Sequence, residues 1–143
     1  MLALLREFAA FEKLLDLFAS SEAILARDFF GEKKIADCDL AFQGGEPVGL
    51  VTYYWTYGSF STARGLFVED LFVRPAFRGR GYGKALLKHL AAKGAAQGAT
   101  RLDWWVLDWN DHAVDFYKGI GARKIADWSG FRLEGDAMKA LAQ

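Results

Sequence analysis

The sequence holds one cysteine and two prolines, and its charges cancel. Because the single cysteine, Cys38, cannot form an internal disulfide, a reducing compartment, the cytoplasm, is the expected location. Eighteen basic side chains balance eighteen acidic ones, so nothing in the composition favours nucleic acid as a partner. No apolar run reaches the ~18 residues of a membrane-spanning helix, and no membrane partner is expected.

Apolar residues and glycine are plentiful. Hydrophobic residues make up 52% of the chain and charged residues 25%, a balance that predicts a folded rather than a disordered chain. A length of 143 residues suits one domain, residues 1–143, with a core of its own. Fifteen glycines indicate tight turns between regular elements.

Apolar residues at steps of three and four predict helices, and β-branched or aromatic runs predict strands. The predicted helices are residues 2–18, 22–30, 83–98, 111–118 and 136–141. The predicted strands are residues 35–43, 48–57, 66–73, 100–106, 123–127 and 131–134. This order predicts an α/β layer structure with a mixed sheet, in which helical crossovers give parallel neighbours.

The most informative stretch is VEDLFVRPAFRGRGYGK, in which an apolar strand leads through Pro75 into Arg78-x-x-Gly81-x-Gly83 and a helix. Backbone amides at a helix start have no partner within the helix, and together with the helix dipole they attract phosphate oxygens. Glycine lets a ligand approach the backbone closely. The stretch predicts a phosphate site, although a glycine-rich turn kept for packing gives the same pattern.

Two familiar phosphate motifs are excluded here. A P-loop needs G-x-x-x-x-G-K-[ST], but Gly79 and Gly83 are one residue too close and Ala85 replaces the hydroxyl residue. A dinucleotide fingerprint needs G-x-G-x-x-G, but Lys84 stands at the position of the third glycine after Gly79 and Gly81.

A second motif, N-x-x-A-x-x-F-Y-x-x-x-G-A, runs from Asn110 to Ala122. With R-x-x-G-x-G before it, this pattern resembles the GCN5-related N-acetyltransferases (GNAT). VTYYWTY, LFVEDLFVRPAFRGRGYGKALLKHL and VLDWNDHAVDFYKGIGA are most similar to the diamine (spermidine/spermine) and thialysine acetyltransferases. AAFEK in the first helix resembles them as well.

The resemblance implies a GNAT fold, a mixed and mostly antiparallel sheet flanked by helices, with the family's first strand absent from this chain. It implies direct transfer of an acetyl group from acetyl-CoA to the primary amine of a small cationic acceptor: a diamine, a polyamine or a thialysine-like compound. A homodimer is implied, and no metal. The same fold also serves protein and aminoglycoside acetyltransferases, or a non-catalytic acyl-CoA sensor.

The resemblance also implies which residues hold acetyl-CoA. The pantetheine arm would bond to the backbone of Leu71, Phe72 and Val73. The remaining contacts fall on the pyrophosphate loop and on the start of a later helix: Arg78, Gly79, Arg80, Gly81, Tyr82, Gly83, Lys84, Asn110, Asp111, His112 and Ala113. The alternatives are that the strand residues belong to the core and that Arg78 and Arg80 are solvated charges.

By the same resemblance, Tyr117 is the general acid that protonates the leaving thiolate, and Glu69 removes the amine proton through water. Glu12, Glu69 and Asp70 would line the acceptor pocket. Tyr117 could instead be a packing aromatic, Glu12 a solvated helix residue and Asp70 a structural contact. Strand alternation alone sends Glu69 and Asp70 to opposite faces of the sheet.

One position departs from the family pattern. The acid that contacts the far end of a polyamine corresponds to Ser129 in this chain, which weakens the case for spermidine or spermine. Shorter amines, thialysine, lysine-like compounds and other primary amines stay open. Cys38 is expected to lie away from the cleft, which argues against an acyl-enzyme intermediate.

Overall fold

A computed structural model describes residues 1–143, which form two compact units, Met1–Leu107 and Asp108–Gln143. That the chain is a single domain stays a prediction. No helix in either unit has the length and apolar character needed to cross a membrane.

The first unit holds three α-helices and four strands. They are α1 (Leu2–Phe11), α2 (Glu22–Leu25), β1 (Asp37–Gln43), β2 (Glu46–Gly58), β3 (Ala63–Val73), α3 (Tyr82–Ala96) and β4 (Ala99–Trp104). Short 3-10 turns lie at Leu15–Leu17 and Pro75–Phe77, and a π-helical turn, Ala26–Phe30, continues α2.

The strands form one sheet in the order β1-β2-β3-β4. β1, β2 and β3 pair antiparallel as a meander, whereas β4 pairs parallel to β3 after the α3 crossover. Parallel strands need such a crossover because their ends lie far apart. The predicted mixed and mostly antiparallel sheet is therefore confirmed.

Helices cover both faces of the sheet, and each face has its own apolar layer. On one face Leu4 of α1 packs with Leu50 and Phe72, all nearly inaccessible to solvent. On the other, α3 approaches so closely that a Cβ at Gly94 would lie 2.8 Å from Leu66 Cδ1. These two layers, called the α1 face and the α3 face below, separate two different sets of charges.

The first helix is shorter than its periodicity predicts. The apolar spacing predicts a helix over residues 2–18, but α1 ends at Phe11, and Lys13 has a φ of 61°. A helix depends mainly on the burial of its apolar face, and here Leu14 and Leu17 are exposed. Without a surface to cover them, the chain turns away into the 3-10 turn Leu15–Leu17.

The second unit contains α4 (Asp111–Gly119) and α5 (Gly135–Leu141). The predicted strands at 123–127 and 131–134 are wrong, because residues 122–134 form no regular element. A strand exists only through its ladder of backbone bonds. Ile125 and Phe131 are exposed. This segment has strand propensity but no neighbouring strand to pair with and no core to pack against.

Candidate active site

A β-bulge in β3 decides where its two acids point. Thr52 of β2 lies opposite Asp70 and Tyr53 opposite Val68, so Glu69 is an extra residue without a partner in β2. A bulge interrupts the alternation of faces. The expectation that Glu69 and Asp70 lie on opposite faces is therefore wrong.

Asp70 lies on the α1 face, two residues before the buried Phe72. The Thr52 hydroxyl donates to Asp70 Oδ2, and the Asp70 amide donates to Thr52 Oγ1 at 3.1 Å. Burial raises the pKa of Asp70, and the Thr52 bond only partly opposes this. The carboxylate is thus held in a place where its negative charge is poorly solvated.

Glu12 and Glu69 share that face. Glu12 ends α1, and its pKa is raised by burial and by the negative charge of Asp70. Glu69 adds to the raised pKa of Tyr54, which is due first to burial. Tyr54 points away from the α3 face, because its neighbour Tyr53 contacts Lys93 of α3. The three predicted acids Glu12, Glu69 and Asp70 therefore lie on one face of the sheet, called the acid face below.

An aromatic row adjoins the acid face and was not predicted as part of the site. The Tyr54 and Phe67 rings stack with centroids 5.2 Å apart, and Phe67 lies 5.9 Å from the Trp105 ring. Trp105 is 74% exposed. The pairing of β2 with β3 would have revealed the first contact, since Tyr54 lies directly opposite Phe67. Ring faces next to carboxylates attract organic cations.

A gap opens beside the second half of β3. The parallel ladder with β4 ends at the pair Val68 and Trp104, while β3 continues to Val73. The Arg74 amide donates to Val48 of β2, so by alternation Leu71 and Val73 turn their backbone groups toward the gap. Of the three predicted strand contacts, these two border the gap.

Phe72, the third predicted strand contact, is placed differently. Its side chain is 2% exposed and packs with Leu4 and Leu50, and the same alternation turns its backbone toward β2. The structure therefore gives Phe72 a place in the core.

The glycine loop, residues 78–81, follows the 3-10 turn Pro75–Phe77 and leads into the first turn of α3. Gly79 and Gly81 have φ values of 72° and 86°, a region that favours glycine. A Cβ at either would meet no atom within 4 Å, so the loop surface is open. Gly81 caps α3 without a side-chain bond, which leaves the amides of Tyr82, Gly83 and Lys84 available to an anion.

The side chains of this loop and of the first turn of α3 differ in exposure. Arg80 and Lys84 are exposed, and Arg80 lies over the Phe77 ring. The Tyr82 hydroxyl donates to Gln43 Oε1 at 2.6 Å. Arg78 is half-buried: its Nε donates to the Val73 carbonyl at 2.9 Å, and its guanidinium lies over two rings. These contacts rule out the alternative interpretation of Arg78 as a fully solvated surface charge.

In the second unit, α4 carries the remaining predicted residues. The Asn110 side chain accepts a bond from the Ala113 amide at 3.2 Å and so caps the helix. Asp111 and His112 are exposed in its first turn. Tyr117 is half-buried, with its ring 5.2 Å from that of Phe116. Its role as a proton donor stays a prediction.

Cys38 lies closer to the acid face than expected. It pairs with Thr52, the partner of Asp70, and packs against the buried residues of the α1 face, Leu4, Leu50 and Phe72. Burial raises the pKa of its thiol to about 11. A thiol with that pKa is protonated at neutral pH and is a poor nucleophile. Cys38 is therefore unsuited to forming an acyl-enzyme because its thiol is protonated, although it lies near the acid face.

The α3 face carries a charge network that sequence reasoning missed. Lys93 Nζ lies 3.1 Å from Asp39 Oδ2, and the Tyr53 hydroxyl donates to the same carboxylate at 2.9 Å. Burial would raise the pKa of Asp39, but the bonds from Lys93 and Tyr53 lower it overall. These residues are far apart in sequence, so no local pattern indicates their contact.

Comparison with known proteins agrees with this architecture. The family model described as the Acetyltransferase (GNAT) family matches residues 5–122. A thialysine N-epsilon-acetyltransferase from Sus scrofa is 39% identical over 153 residues, covering 99% of this chain and 89% of the relative. An L-ornithine N5-acetyltransferase from Arabidopsis thaliana is 39% identical over 93 residues, 65% of this chain and 41% of the relative.

A solved structure shows the same fold. An integron cassette protein from the mobile metagenome of V. cholerae superposes with a TM-score of 0.81 at 31% identity, covering 99% of this chain and 91% of that protein. The resemblance to thialysine acetyltransferases is therefore confirmed. The chain belongs to the Acetyltransferase (GNAT) family and is an N-acetyltransferase, which transfers the acetyl group of acetyl-CoA to an amine.

Proposed function

We propose that the acceptor is a short cationic amine, a thialysine- or ornithine-like amino acid or a diamine, acetylated on its terminal primary amine. The observation that carries this proposal is the acid face, where Glu12 and Asp70 have raised pKa values through burial and, for Glu12, through mutual repulsion. A bound ammonium group would relieve that repulsion. Negative charge held near a poorly solvated surface thus favours a cationic ligand.

The aromatic row supports the same class of acceptor. Tyr54, whose pKa the charge of Glu69 raises, begins a row of rings with Phe67 and Trp105, and cations bind to such ring surfaces. Relatives named for thialysine and for L-ornithine agree with a short amino-acid acceptor. Ser129, which lacks the charge expected for the far end of a polyamine, is exposed in the irregular segment 122–134.

The residues of the gap and the loop fit acetyl-CoA. Leu71 offers its backbone amide and carbonyl, and Val73 offers its amide, to an extended arm that carries amides, much as a strand would pair with β3. The amides of residues 82–84 offer a helix start to the pyrophosphate. When bound, acetyl-CoA supplies the acetyl group as a thioester.

Two residues would move protons. We assign to the Glu69 carboxylate the removal of a proton from the acceptor ammonium through water, which leaves the neutral amine. We assign to Tyr117 Oη the protonation of the departing thiolate, because a phenol is protonated at neutral pH. Tyr117→Phe should lower kcat about 100-fold while acetyl-CoA affinity, measured by calorimetry, stays unchanged. Equal loss of both would contradict this role.

The proposal is tested by acetyl-CoA-dependent thiol release with a panel of amines. Thialysine, ornithine, lysine, putrescine, spermidine and a lysine-containing peptide are compared at equal concentration. We expect release with one of the short amines and the lowest kcat/KM with spermidine and the peptide. Preference for the peptide, or tight acetyl-CoA binding without release on any amine, would overturn the proposal.

A homodimer, a single domain and a cytoplasmic location complete the proposal. Sedimentation equilibrium tests the first. Limited proteolysis between residues 107 and 108 tests the second, because separable domains would yield two stable fragments.

A further inference from the structure

We propose that Arg78 is a positioning residue that fastens helix α1 to the glycine loop, so that acetyl-CoA binding and amine binding become energetically linked. The inference rests on the proposed function for its amine readout, but its first readout needs no amine. Nothing in the motif itself assigns this role, because the motif indicates only a cation beside a phosphate loop.

The contacts of Arg78 connect three elements. Its Nε donates to the carbonyl of Val73, the last residue of β3, at 2.9 Å. Its guanidinium carbon lies 4.3 Å from the centroid of the Phe11 ring in α1 and 5.7 Å from that of Phe72 in β3. A planar guanidinium suits this geometry, since it can stack on rings and donate in its own plane at once.

In both α1 and β3, a residue that Arg78 contacts lies close in sequence to a residue of the acid face. Phe11 directly precedes Glu12 in α1, and Val73 follows Asp70 by three residues in β3. Gly79 directly follows Arg78 and begins the open part of the loop. A ligand that orders the loop would restrict Arg78, and Arg78 would then restrict Phe11 and the helix end that carries Glu12.

A second arginine, Arg74, contacts α1 one turn before Phe11. Arg74 makes a two-point bond to Glu7 of α1 at 2.8 and 2.9 Å, and it also bonds to Glu46 at 2.8 Å and to the Pro47 carbonyl at 2.9 Å. Helix α1 is therefore fixed near its middle by Arg74. Its last turn, which presents Glu12, contacts the loop through Arg78.

The link works in both directions. If acetyl-CoA orders the end of α1 and so favours amine binding, the amine must favour acetyl-CoA by the same factor. Because Phe11 is 36% exposed and Arg78 is half-buried, the stacked pair can loosen without exposing the core. This arrangement suits a contact whose strength depends on the ligand.

The test compares four variants with the unmodified protein. Arg78→Gln removes charge and stacking, Arg78→Lys keeps the charge but loses the planar group, and Phe11→Leu keeps an apolar side chain without a ring. Arg6→Gln is the matched control, because Arg6 lies 5.9 Å from the Phe18 ring, a similar pair that starts from the same helix. Phe11→Leu is conservative at a partly exposed position, so it should fold.

The first readout is amide hydrogen exchange in residues 5–12 with and without acetyl-CoA. Acetyl-CoA should slow exchange there in the unmodified protein and in Arg6→Gln, but not in the two Arg78 variants or Phe11→Leu. The second readout is the amine KM at saturating acetyl-CoA, which should rise about tenfold in those three variants. The double variant Arg78→Gln with Phe11→Leu should be no worse than either single one.

Two results would overturn the inference. If acetyl-CoA does not change the rate of amide exchange in residues 5–12 of the unmodified protein, the loop and the end of α1 are not coupled. Normal behaviour of Arg78→Lys, with Arg78→Gln weakening only acetyl-CoA binding, would make Arg78 a simple phosphate contact. If acetyl-CoA slows exchange through Arg78 but no short amine is acetylated, the proposed function fails and this inference stands.

Discussion

The two faces of the sheet shift the pKa of a partly buried aspartate in opposite directions. On the α3 face, Asp39 meets Lys93 and Tyr53, and these bonds lower its pKa despite burial. On the α1 face, Asp70 meets the Thr52 hydroxyl and the charge of Glu12, and burial raises the pKa of both acids. Both aspartates lie in strands of one sheet, so the difference comes from what the covering helix provides.

The comparison separates structural charge from functional charge. A partly buried carboxylate bonded to a cation stabilises the fold, because its charged form is satisfied within the protein. Carboxylates held beside each other in a poorly solvated place oppose folding at neutral pH, and such arrangements cluster at functional sites. The charges of the α3 face thus stabilise the fold, whereas the acid face carries the negative charge needed to bind a cation.

Removal of the proposed base on the acid face should have the largest effect on activity. Glu69→Gln keeps the size of an exposed side chain but cannot accept a proton, so kcat should fall about 100-fold. Calorimetry should show unchanged acetyl-CoA affinity. A kcat within twofold of the unmodified protein would assign the proton transfer to another group.

The second prediction concerns binding on the same face. Asp70→Asn keeps an acceptor for the Thr52 hydroxyl but removes one negative charge, so the amine KM should rise about tenfold with a smaller change in kcat. Stability in urea at pH 7 should stay the same or increase, because the charge that burial disfavours is gone. A clear loss of stability would show that Asp70 is structural, as Asp39 is.

Asp39→Asn is the matched change on the α3 face. It removes the charged partner of Lys93 and Tyr53, so the free energy of unfolding should fall by about 1 kcal/mol, while kcat and both KM values stay unchanged. Urea titration and steady-state kinetics measure these. An altered amine KM would mean that the two faces do not act separately.

The smallest effect is the opposite pH dependence of the two aspartates. Because the folded pKa of Asp39 is lowered, its stabilisation is present above the ordinary carboxyl pKa and is lost as pH falls through the folded value. The folded pKa of Asp70 is raised, so its destabilising effect is present at neutral pH and disappears as pH falls through that value.

Urea titrations at a series of pH values measure this contrast. The unmodified protein should lose stability on acidification as Asp39 is protonated, and Asp39→Asn should make that loss smaller. Protonation of Asp70 should instead add stability on acidification, and Asp70→Asn should abolish that increase. Parallel curves for the two variants would contradict the pKa directions.

Most of the regular elements of the first unit follow from local patterns in the sequence. Alternating and β-branched runs located four strands, and helical periodicity with terminal glycine located α3, because these patterns reflect local conformation and the side that must be buried. The glycines of the loop also indicate their own backbone conformation. Gly79 and Gly81 have the positive φ that their residue type indicates.

The assembly of the site depends on contacts between elements that are distant in the sequence. The bulge at Glu69 depends on how β2 pairs with β3, and it brings Glu69 and Asp70 to one face against strand alternation. The stacking of Arg78 on Phe11 joins residues 67 positions apart. Local patterns cannot encode such contacts, because they depend on which elements become neighbours.

The same reason explains the errors. Residues 14–17 had helical periodicity and residues 131–134 had strand propensity, but the fold gave neither segment a surface to cover. Periodicity states which side of a segment would be buried, and only packing decides whether a partner is there. The sequence thus determined the family, the loop and the candidate acids, and the fold decided which of those acids share a face.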